Sequence, residues 1–366
     1  MKVIIENLEK LLQKQIKHQK ISNIVIGVQT GDNSFEWSGA AGISVPEKQT
    51  EMRVDSSYFI ASITKIFTAS AIMLLHEQKK LNLEDSVTTF FSSNQFDGLH
   101  HYKGKDYSNK LKIYHLVNQT SGLADYFEQK NEKGSNFLDK ILEDGDAEWN
   151  IEVVLEIVKN NLKSKFPPAL EQGINHKAYY SDTNYQLLGA ILEKLLEKSL
   201  GQIFDELFFT PLELPNTYVF GDDIAASGRE APATIYHNET PLYMPKAMRS
   251  FWSDGAMVST AEEQILFMKA LFGGKIFKNE KTFKWMKQWN KIFFPLDYGY
   301  GLMRYKLPWF FSPFNPVPEF VGHSGASGSF SFYCPKQDFY LSGTINQLQT
   351  RSTPFRLMPE IANILK

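Results

Sequence analysis

Features that would assign a compartment or a macromolecular partner are scarce in this sequence of 366 residues. It has one cysteine, Cys334, so no disulfide can form within the chain. No apolar run is long enough to span a membrane, and Met1–Glu6 has too few apolar residues to serve as a signal-peptide core. Lysine and arginine are scattered, and the net charge of −2 predicts no broad basic surface for nucleic acid.

These absences favour a cytoplasmic protein with neither a nucleic-acid nor a membrane partner. A leader trimmed from the chain would instead make the protein periplasmic or secreted. The composition carries no signal for an oligomeric state.

Two common hydrolase signatures are also missing. The chain contains no G-x-S-x-G, which argues against an esterase of the α/β-hydrolase type. It contains no H-E-x-x-H, and the adjacent His100 and His101 lie in a polar loop, where histidines are typically solvated. We therefore predict a chemistry that uses no metal and no organic cofactor.

The strongest positive signal is Ser62–Lys65, the only place where a lysine follows a serine by three positions. Residues three apart share a helix face, so a helix starting here would place the Lys65 amine beside the Ser62 hydroxyl. The apolar run Ile66–Leu75 predicts a buried helix, and burial lowers a lysine pKa. A neutral amine could then take the serine proton and make Ser62 a nucleophile. The alternative is a helix cap followed by a surface lysine.

Two further stretches could complete a site. Tyr180 precedes a polar turn that opens an apolar helix, a position from which a phenol can reach a cleft and move protons. A nearby cation would lower its pKa. The small residues of Gly322–Gly328 let a ligand lie against a strand edge, with His323 as a donor and the Ala326 N–H as an oxyanion partner. Each stretch alone also fits a structural role, as a helix cap with packed tyrosines or as a hairpin bend with an incidental histidine.

Strand patterns stand at both ends of the chain. Apolar spacing predicts an amphipathic helix over residues 3–20, followed by a hairpin of Asn23–Gln29 and Phe35–Ile43. Three short β-rich runs and a closing helix are predicted near the C-terminus: Glu319–His323, Ser329–Cys334, Phe339–Ile345 and Pro354–Leu365. Helical patterns dominate the segment between them.

This arrangement predicts an α/β fold of the α+β type. One antiparallel sheet would be built from the N- and C-terminal segments and flanked by helices. The domain that contains the sheet would comprise residues 1–65 and 249–366. Residues 66–248 would form an inserted, mainly helical domain, with the active site in the cleft between the two.

Taken in order, these motifs resemble those of the serine β-lactamase and penicillin-binding-protein superfamily. Ser62–Lys65 is similar to its S-x-x-K signature. Tyr180–Asp182 resembles the Y-x-N motif, and His323–Gly325 resembles the K-T-G motif in its H-x-G form. Leu116–Leu123 and Ala256–Glu263 are similar to the N-H-T-S-G-L and S-T-A-x-D segments of the class C β-lactamase-like branch, which also holds esterases and DD-peptidases.

The resemblance covers most of the chain and implies a role for each matched position. Ser62 would be the acylated nucleophile and Lys65 its proton acceptor, while Tyr180 would activate first the hydroxyl and then the deacylating water. The N–H groups of Ser62 and Ala326 would form the oxyanion hole. The residues implied to bind substrate are Asp182, His323, Ser324, Gly325 and Asn346.

Two matched positions depart from the pattern of the superfamily. Asp182 stands where an asparagine is usual, so a possible anion replaces an amide donor. His323 stands where β-lactamases usually have lysine, which weakens the positive charge near neutral pH. Both changes disfavour recognition of a carboxylate-bearing β-lactam, although the groups for acyl transfer are kept.

The sequence therefore predicts a serine hydrolase that works through an acyl-enzyme on Ser62. Its partner would be a small-molecule or peptide acyl substrate: a small ester, a peptide or amide, or a β-lactam-like carbonyl compound. A D-alanyl-D-alanine carboxypeptidase and a β-lactamase proper are alternatives within this class. The altered positions 182 and 323 keep a non-catalytic, ligand-binding homologue as a further alternative.

Overall fold

The two ends of the chain meet in one antiparallel sheet. The computed structural model describes residues 1–18, 21–222, 229–311 and 313–366. Its strands are β1 (Asn23–Thr30), β2 (Glu36–Val45), β3 (Thr50–Glu51), β4 (Tyr58–Phe59), β5 (His101–Tyr102), β6 (Lys105–Asp106), β7 (Tyr218–Val219), β8 (Ile235–His237), β9 (Thr240–Leu242), β10 (Met257–Ser259), β11 (Asn290–Phe293), β12 (Leu296–Tyr298), β13 (Met303–Tyr305), β14 (Phe320–Ser324), β15 (Ser329–Cys334) and β16 (Phe339–Thr344). Within these residues, nine strands form the main sheet in the order β11-β12-β13-β14-β15-β16-β1-β2-β3.

Helices cover this sheet and fill the segment between its two halves. They are α1 (Lys2–His18), α2 (Thr64–Glu77), α3 (Ser93–Phe96), α4 (Ile113–Val117), α5 (Phe137–Asp144), α6 (Ile151–Asn161), α7 (Asp182–Leu196), α8 (Leu200–Phe204), α9 (Pro245–Ser250), α10 (Trp252–Gly255), α11 (Ala261–Phe272), α12 (Glu280–Met286) and α13 (Pro354–Ile364). A smaller sheet, β4-β10-β7, lies beside the main one.

Strand β1 joins the N-terminal and C-terminal parts of the sheet, because it pairs with strands from both halves of the chain. It runs antiparallel to β16, from Val25 opposite Thr344 to Thr30 opposite Phe339, and antiparallel to β2 on its other edge. Its first six residues are buried. Such a nearly continuous apolar strand indicates that both faces of the sheet are covered.

The two faces are covered by different helices. A Cβ placed on Gly27 would lie 3.2 Å from the Ile265 side chain of α11, so that helix packs closely on one face. A Cβ on Gly39, which is opposite Ile26, would lie 3.1 Å from Leu12 of α1 on the other face. Successive side chains of a strand alternate between faces, which places α1 and α11 on opposite sides.

Helix α2 is the buried axis of the helical part. Most of its residues are sealed from solvent, as the apolar run after Ser62 predicted. Phe67 stacks on Phe267 of α11 with ring centres 3.7 Å apart. It also makes edge contacts with Phe208 and Phe209. These contacts fix the helix that carries Lys65 against the rest of the core.

The predicted α+β fold is confirmed, with strands from both ends in one antiparallel sheet. The predicted hairpin, C-terminal strands and closing helix agree with β1, β2, β14–β16 and α13 within about two residues. Strands β11–β13 were missed because they are only three or four residues long. The last two residues of the predicted first helix lie outside the described residues, and the domain boundaries stay a prediction.

A helix needs about 20 consecutive, mainly apolar residues to cross a bilayer. None in the described part of the chain combines sufficient length with sufficient apolar character to be a membrane span.

Replacing Phe67 by alanine should destabilise the protein strongly. The substitution removes a ring that packs against several others in a buried cluster, so we expect a loss of about 3–5 kcal/mol in the free energy of unfolding. Urea titration followed by circular dichroism measures it. The control is Leu170→Ala, since Leu170 is fully exposed and its loss should change stability by less than about 0.5 kcal/mol. Equal effects of the two substitutions would contradict this account of the core.

Candidate active site

Ser62 lies in a strained turn at the start of α2. It belongs to a short 3-10 segment, Ala61–Ile63, that leads directly into the helix. Ala61 has a φ of 48°, a left-handed conformation that costs a non-glycine residue about 1–3 kcal/mol. A Cβ on Gly325 would come within 2.8 Å of the Ala61 Cβ and 2.7 Å of the Ile60 carbonyl oxygen. Only glycine at position 325 lets the turn pack this closely on the end of β14.

Lys65 is one helical turn further on and is completely buried. Its ammonium donates to the Ser62 Oγ at 3.1 Å and to the Asp254 carbonyl oxygen at 2.7 Å. It also forms an ion pair with Asp182, with 2.6 Å between Nζ and Oδ1. The predicted neighbourhood of alcohol and amine is therefore present in the structure.

The charge state predicted for Lys65 is wrong. Burial alone would lower its pKa, as the sequence led us to expect. Asp182, whose charge is the largest effect opposing burial, holds the pKa above its ordinary value. Lys65 is consequently an ammonium at neutral pH, and not the neutral amine that the apolar run alone predicted.

Tyr180 lies beside this ammonium. The Lys65 nitrogen is 5.3 Å from the centre of the Tyr180 ring. The Tyr180 hydroxyl is buried, and among the described residues no partner meets it with ordinary hydrogen-bond geometry. Burial raises its pKa, and the opposing effects of Lys65 and the Ser62 hydroxyl do not reverse the shift. The expected lowering of the phenol pKa is therefore wrong, and Tyr180 is protonated at neutral pH.

Asp182 begins α7 and points its carboxylate at Lys65. Burial raises its pKa, and the Coulombic attraction of Lys65 opposes that rise. Its side chain is 11% exposed and contributes to the wall of the cavity described below. The sequence assigned it to substrate binding, whereas in the structure its carboxylate is engaged by the lysine.

Two more buried carboxyl groups surround this ion pair, and sequence reasoning missed both. Asp125 accepts the backbone N–H groups of Asp182 and Glu128, at 2.9 and 2.8 Å, and burial together with Asp182 raises its pKa to about 7. The Asp254 carboxyl accepts from the Tyr126 hydroxyl at 3.1 Å, and burial raises its pKa well above the ordinary value. No motif or spacing singled out either residue.

The structure corrects the roles expected for His323 and Asn346. His323 is fully buried, with Nδ1 2.7 Å from the Ser324 carbonyl oxygen and Nε2 3.4 Å from the Tyr298 hydroxyl. Asn346 is also fully buried and donates to the Asn23 side chain at 2.7 Å. Neither belongs to the cavity wall. His323 supplies no charge to a ligand, because burial and the nearby ammonium lower its pKa to about 3.

The residues that follow His323 do reach the cavity. Ser324, Gly325 and Ala326 line it together with Ser62. Within the described residues the Ala326 N–H donates to no acceptor, whereas the Gly325 N–H is held by the Ser329 carbonyl oxygen at 2.8 Å. A backbone donor beside the serine is thus available to a bound oxygen.

The cavity above Ser62 has a volume of about 1090 Å³. Its wall is mainly apolar and comes from both halves of the chain, including Phe127, Leu138, Ile235, Met244, Met248, Phe251, Ile292, Leu296, Met303 and Phe355. At its rim, the Arg351 guanidinium makes a bidentate ion pair with Glu128. No group of three acidic, histidine or cysteine side chains in the described residues is placed to hold a metal ion.

Comparison with known proteins identifies the chain. The family model described as Beta-lactamase matches residues 8–363. The chain belongs to the beta-lactamase family. Penicillin-binding protein 4* of Bacillus subtilis is 24% identical over 337 residues, which are 86% of this chain but 65% of that protein. The chain therefore spans less than two thirds of this curated relative.

Solved structures show the same fold. A D-stereospecific amidohydrolase from Streptomyces sp. superposes with a TM-score of 0.74 at 23% identity, covering 94% of each chain. The hydrolase EstCE1, described as having promiscuous acyltransferase activity, superposes with a TM-score of 0.76 at 19% identity and covers 100% of this chain and 99% of its own. These likenesses show the fold, and the fold alone leaves the substrate open.

His323 should remain neutral through the physiological range. Its Cε1–H resonance is expected to stay constant between about pH 5 and pH 8, because burial and Lys65 hold its pKa near 3. The same resonance should titrate near 6.5 in the urea-unfolded chain. Below that value only the unfolded chain takes up this proton, so folded-state stability should fall as the pH drops from 6.5 towards 3. A folded-state titration of His323 near neutrality would contradict this prediction.

Proposed function

We propose that the protein is a serine hydrolase that forms an acyl-enzyme on Ser62 and acts on neutral esters or amides. The observation that carries the proposal is the hydrogen bond between Lys65 Nζ and Ser62 Oγ, 3.1 Å long, at the floor of a large open cavity. A serine hydroxyl becomes nucleophilic when an adjacent group can take its proton. The hydrolase neighbours described above support the same class.

The reaction begins when a carbonyl enters the cavity and Ser62 Oγ attacks its carbon. The serine proton leaves through Lys65, which gives up one of its own protons as it accepts this one, and the N–H groups of Ser62 and Ala326 hold the charge that develops on the carbonyl oxygen. The leaving group takes a proton back through Tyr180. A water, or another alcohol or amine, then attacks the acyl carbon with the same groups in reverse order and frees Ser62.

The charge distribution favours an uncharged substrate. Arg351 at the rim is already paired with Glu128, and the Asp182 carboxylate with Lys65. His323 is neutral and sealed from the cavity. A carboxylate-bearing substrate would lose hydration in this mainly apolar wall without gaining a dedicated cation, which is costly. Esters and amides with apolar acyl groups therefore suit the cavity better than β-lactams or C-terminal D-alanyl peptides.

Replacing Ser62 by alanine should abolish turnover of a p-nitrophenyl ester, because the substitution removes the hydroxyl that attacks the carbonyl carbon. In the wild-type protein, a fluorophosphonate should add one covalent group, located on Ser62 by peptide mass spectrometry. The matched control is Ser70→Ala on the same helix, where the hydroxyl is buried and has no hydrogen-bond partner in the described residues. The Ser70→Ala variant should keep its esterase activity and should still be labelled by the fluorophosphonate on Ser62. Full activity of Ser62→Ala would overturn the proposal.

Two esters of equal chain length test the preference for a neutral acyl group. We expect kcat/KM for p-nitrophenyl valerate to exceed that for the p-nitrophenyl half-ester of glutarate by about tenfold or more, since only the second carries a carboxylate into the apolar wall. Both assays release the same chromophore, so the leaving group cannot account for a difference. A preference for the half-ester would show that the cavity holds a cation for the substrate.

A further inference from the structure

The ion pair between Lys65 and Asp182 gives the site an arrangement that an asparagine at position 182 would not supply. Lys65 is completely buried and the Asp182 side chain is 11% exposed, with 2.6 Å between Nζ and Oδ1. On its other side, the same nitrogen is 3.1 Å from Ser62 Oγ. One hydrogen bond and one close ion pair therefore link the serine hydroxyl to the carboxylate through a single ammonium.

We propose that Asp182 is a positioning residue that stores the proton released by Ser62, received through Lys65. This inference rests on the proposed acyl-transfer function and adds a role for the residue that departs from the Y-x-N pattern. The Asp182 carboxylate contacts Lys65, and this role acts through the lysine.

The step balances without any further reactant. The Ser62 O–H bond breaks as Oγ forms its bond to the carbonyl carbon, and the serine proton passes to Lys65 Nζ. In the same event an N–H bond of Lys65 breaks and that proton passes to Asp182 Oδ1. Lys65 is an ammonium before and after, Asp182 changes from carboxylate to neutral acid, and the negative charge moves to the substrate oxygen.

This relay resolves a difficulty in the proposed mechanism. An ammonium has no lone pair and cannot accept a proton from Ser62 unless it releases one at the same time. Tyr180 is a protonated phenol and has the same limitation as a base. The Asp182 carboxylate is in direct contact with the ammonium, so it can accept the proton that Lys65 must release in the first step.

Other charged and titratable groups near Lys65 are placed differently. Asp254 contacts Lys65 through its main-chain oxygen, while its carboxyl is bonded to Tyr126 and Gln186. The Asp125 carboxylate is occupied by backbone N–H groups. Further groups of the described residues act electrostatically on Lys65, on Asp182 or on both, and they include Tyr126, Tyr179, Tyr180, Tyr185, Tyr298, His323, Glu128 and Arg351.

Asp182→Asn tests the relay through the pH dependence of kcat/KM for p-nitrophenyl valerate. In the wild-type protein, Asp182 is a carboxylate that can accept the proton relayed by Lys65. Activity should therefore fall only at acidic pH, where Asp182 is already protonated. In the variant, Lys65 must lose its own proton first. The acid limb should therefore move to higher pH by one unit or more, with about tenfold less activity for each unit below the limb and recovery at alkaline pH.

The matched control is Asp254→Asn. It also exchanges a buried carboxyl of the same cluster for an amide, but it keeps the main-chain contact to Lys65. Because the Asp254 carboxyl contacts Tyr126 and Gln186 and not the ammonium, its loss should move the acid limb much less than the loss of Asp182. A uniform fall in activity at every pH for Asp182→Asn, or equal shifts in both variants, would overturn the proposal.

A readout without turnover separates this inference from the proposed function. With ¹³C-labelled lysine, the Lys65 Cε resonance should report an ammonium to above pH 10.5 in the wild-type protein and should titrate at lower pH in Asp182→Asn. An unchanged titration would overturn the relay even if Ser62 is acylated. If the wild-type protein hydrolyses no ester and takes no fluorophosphonate while the lysine titration shifts as expected, the proposed function fails and the ion pair is structural.

Discussion

An ammonium without access to water is the constraint around which the centre of this protein is built. A buried charge that loses its partner costs about 3–5 kcal/mol, a large share of the stability of an ordinary domain. Lys65 meets that requirement with a carboxylate, a main-chain oxygen and a hydroxyl. These come from α7, α10 and the turn before α2, so satisfying one charge fixes three separate segments relative to one another.

The charged and titratable groups between this ammonium and the rim of the cavity are also neutral or paired. His323 remains neutral because the ammonium is near and the ring is buried. At the rim, Glu128 and Arg351 come from positions 223 apart in the chain and neutralise each other. The cavity therefore offers a substrate mainly apolar surface and a few backbone donors. In this respect it differs from what the resemblance to β-lactamases implied, although the fold is theirs.

The fold was largely predictable because its strongest signals are local. Alternating and continuous apolar runs marked β1, β2 and β14–β16, and the apolar run after Ser62 marked a buried helix. Short strands such as β11–β13 carry too few residues for a pattern. Their pairing is decided by contacts with neighbouring strands, which a reading along the chain does not contain.

The closeness of Ser62, Lys65 and Tyr180 was predictable, and the electrostatics around them much less so. Spacing brought Ser62 and Lys65 together, and the order of the motifs added Tyr180. The protonation states were wrong, because they depend on Asp125, Asp182 and Asp254 meeting around one lysine from three places in the chain. Alternation along β14 predicts that His323 and Ser324 face opposite sides, but it does not tell which of the two reaches the cavity.

The pairing of β1 with β16 also governs when the protein can acquire its structure during synthesis. Residues 25–30 are synthesised long before their partners at 339–344. Until those partners are made, β1 lacks one neighbour, and its apolar residues are open to wrong associations. The main sheet can therefore be completed only late, after β16 has joined the strand that the N-terminal part of the chain supplies.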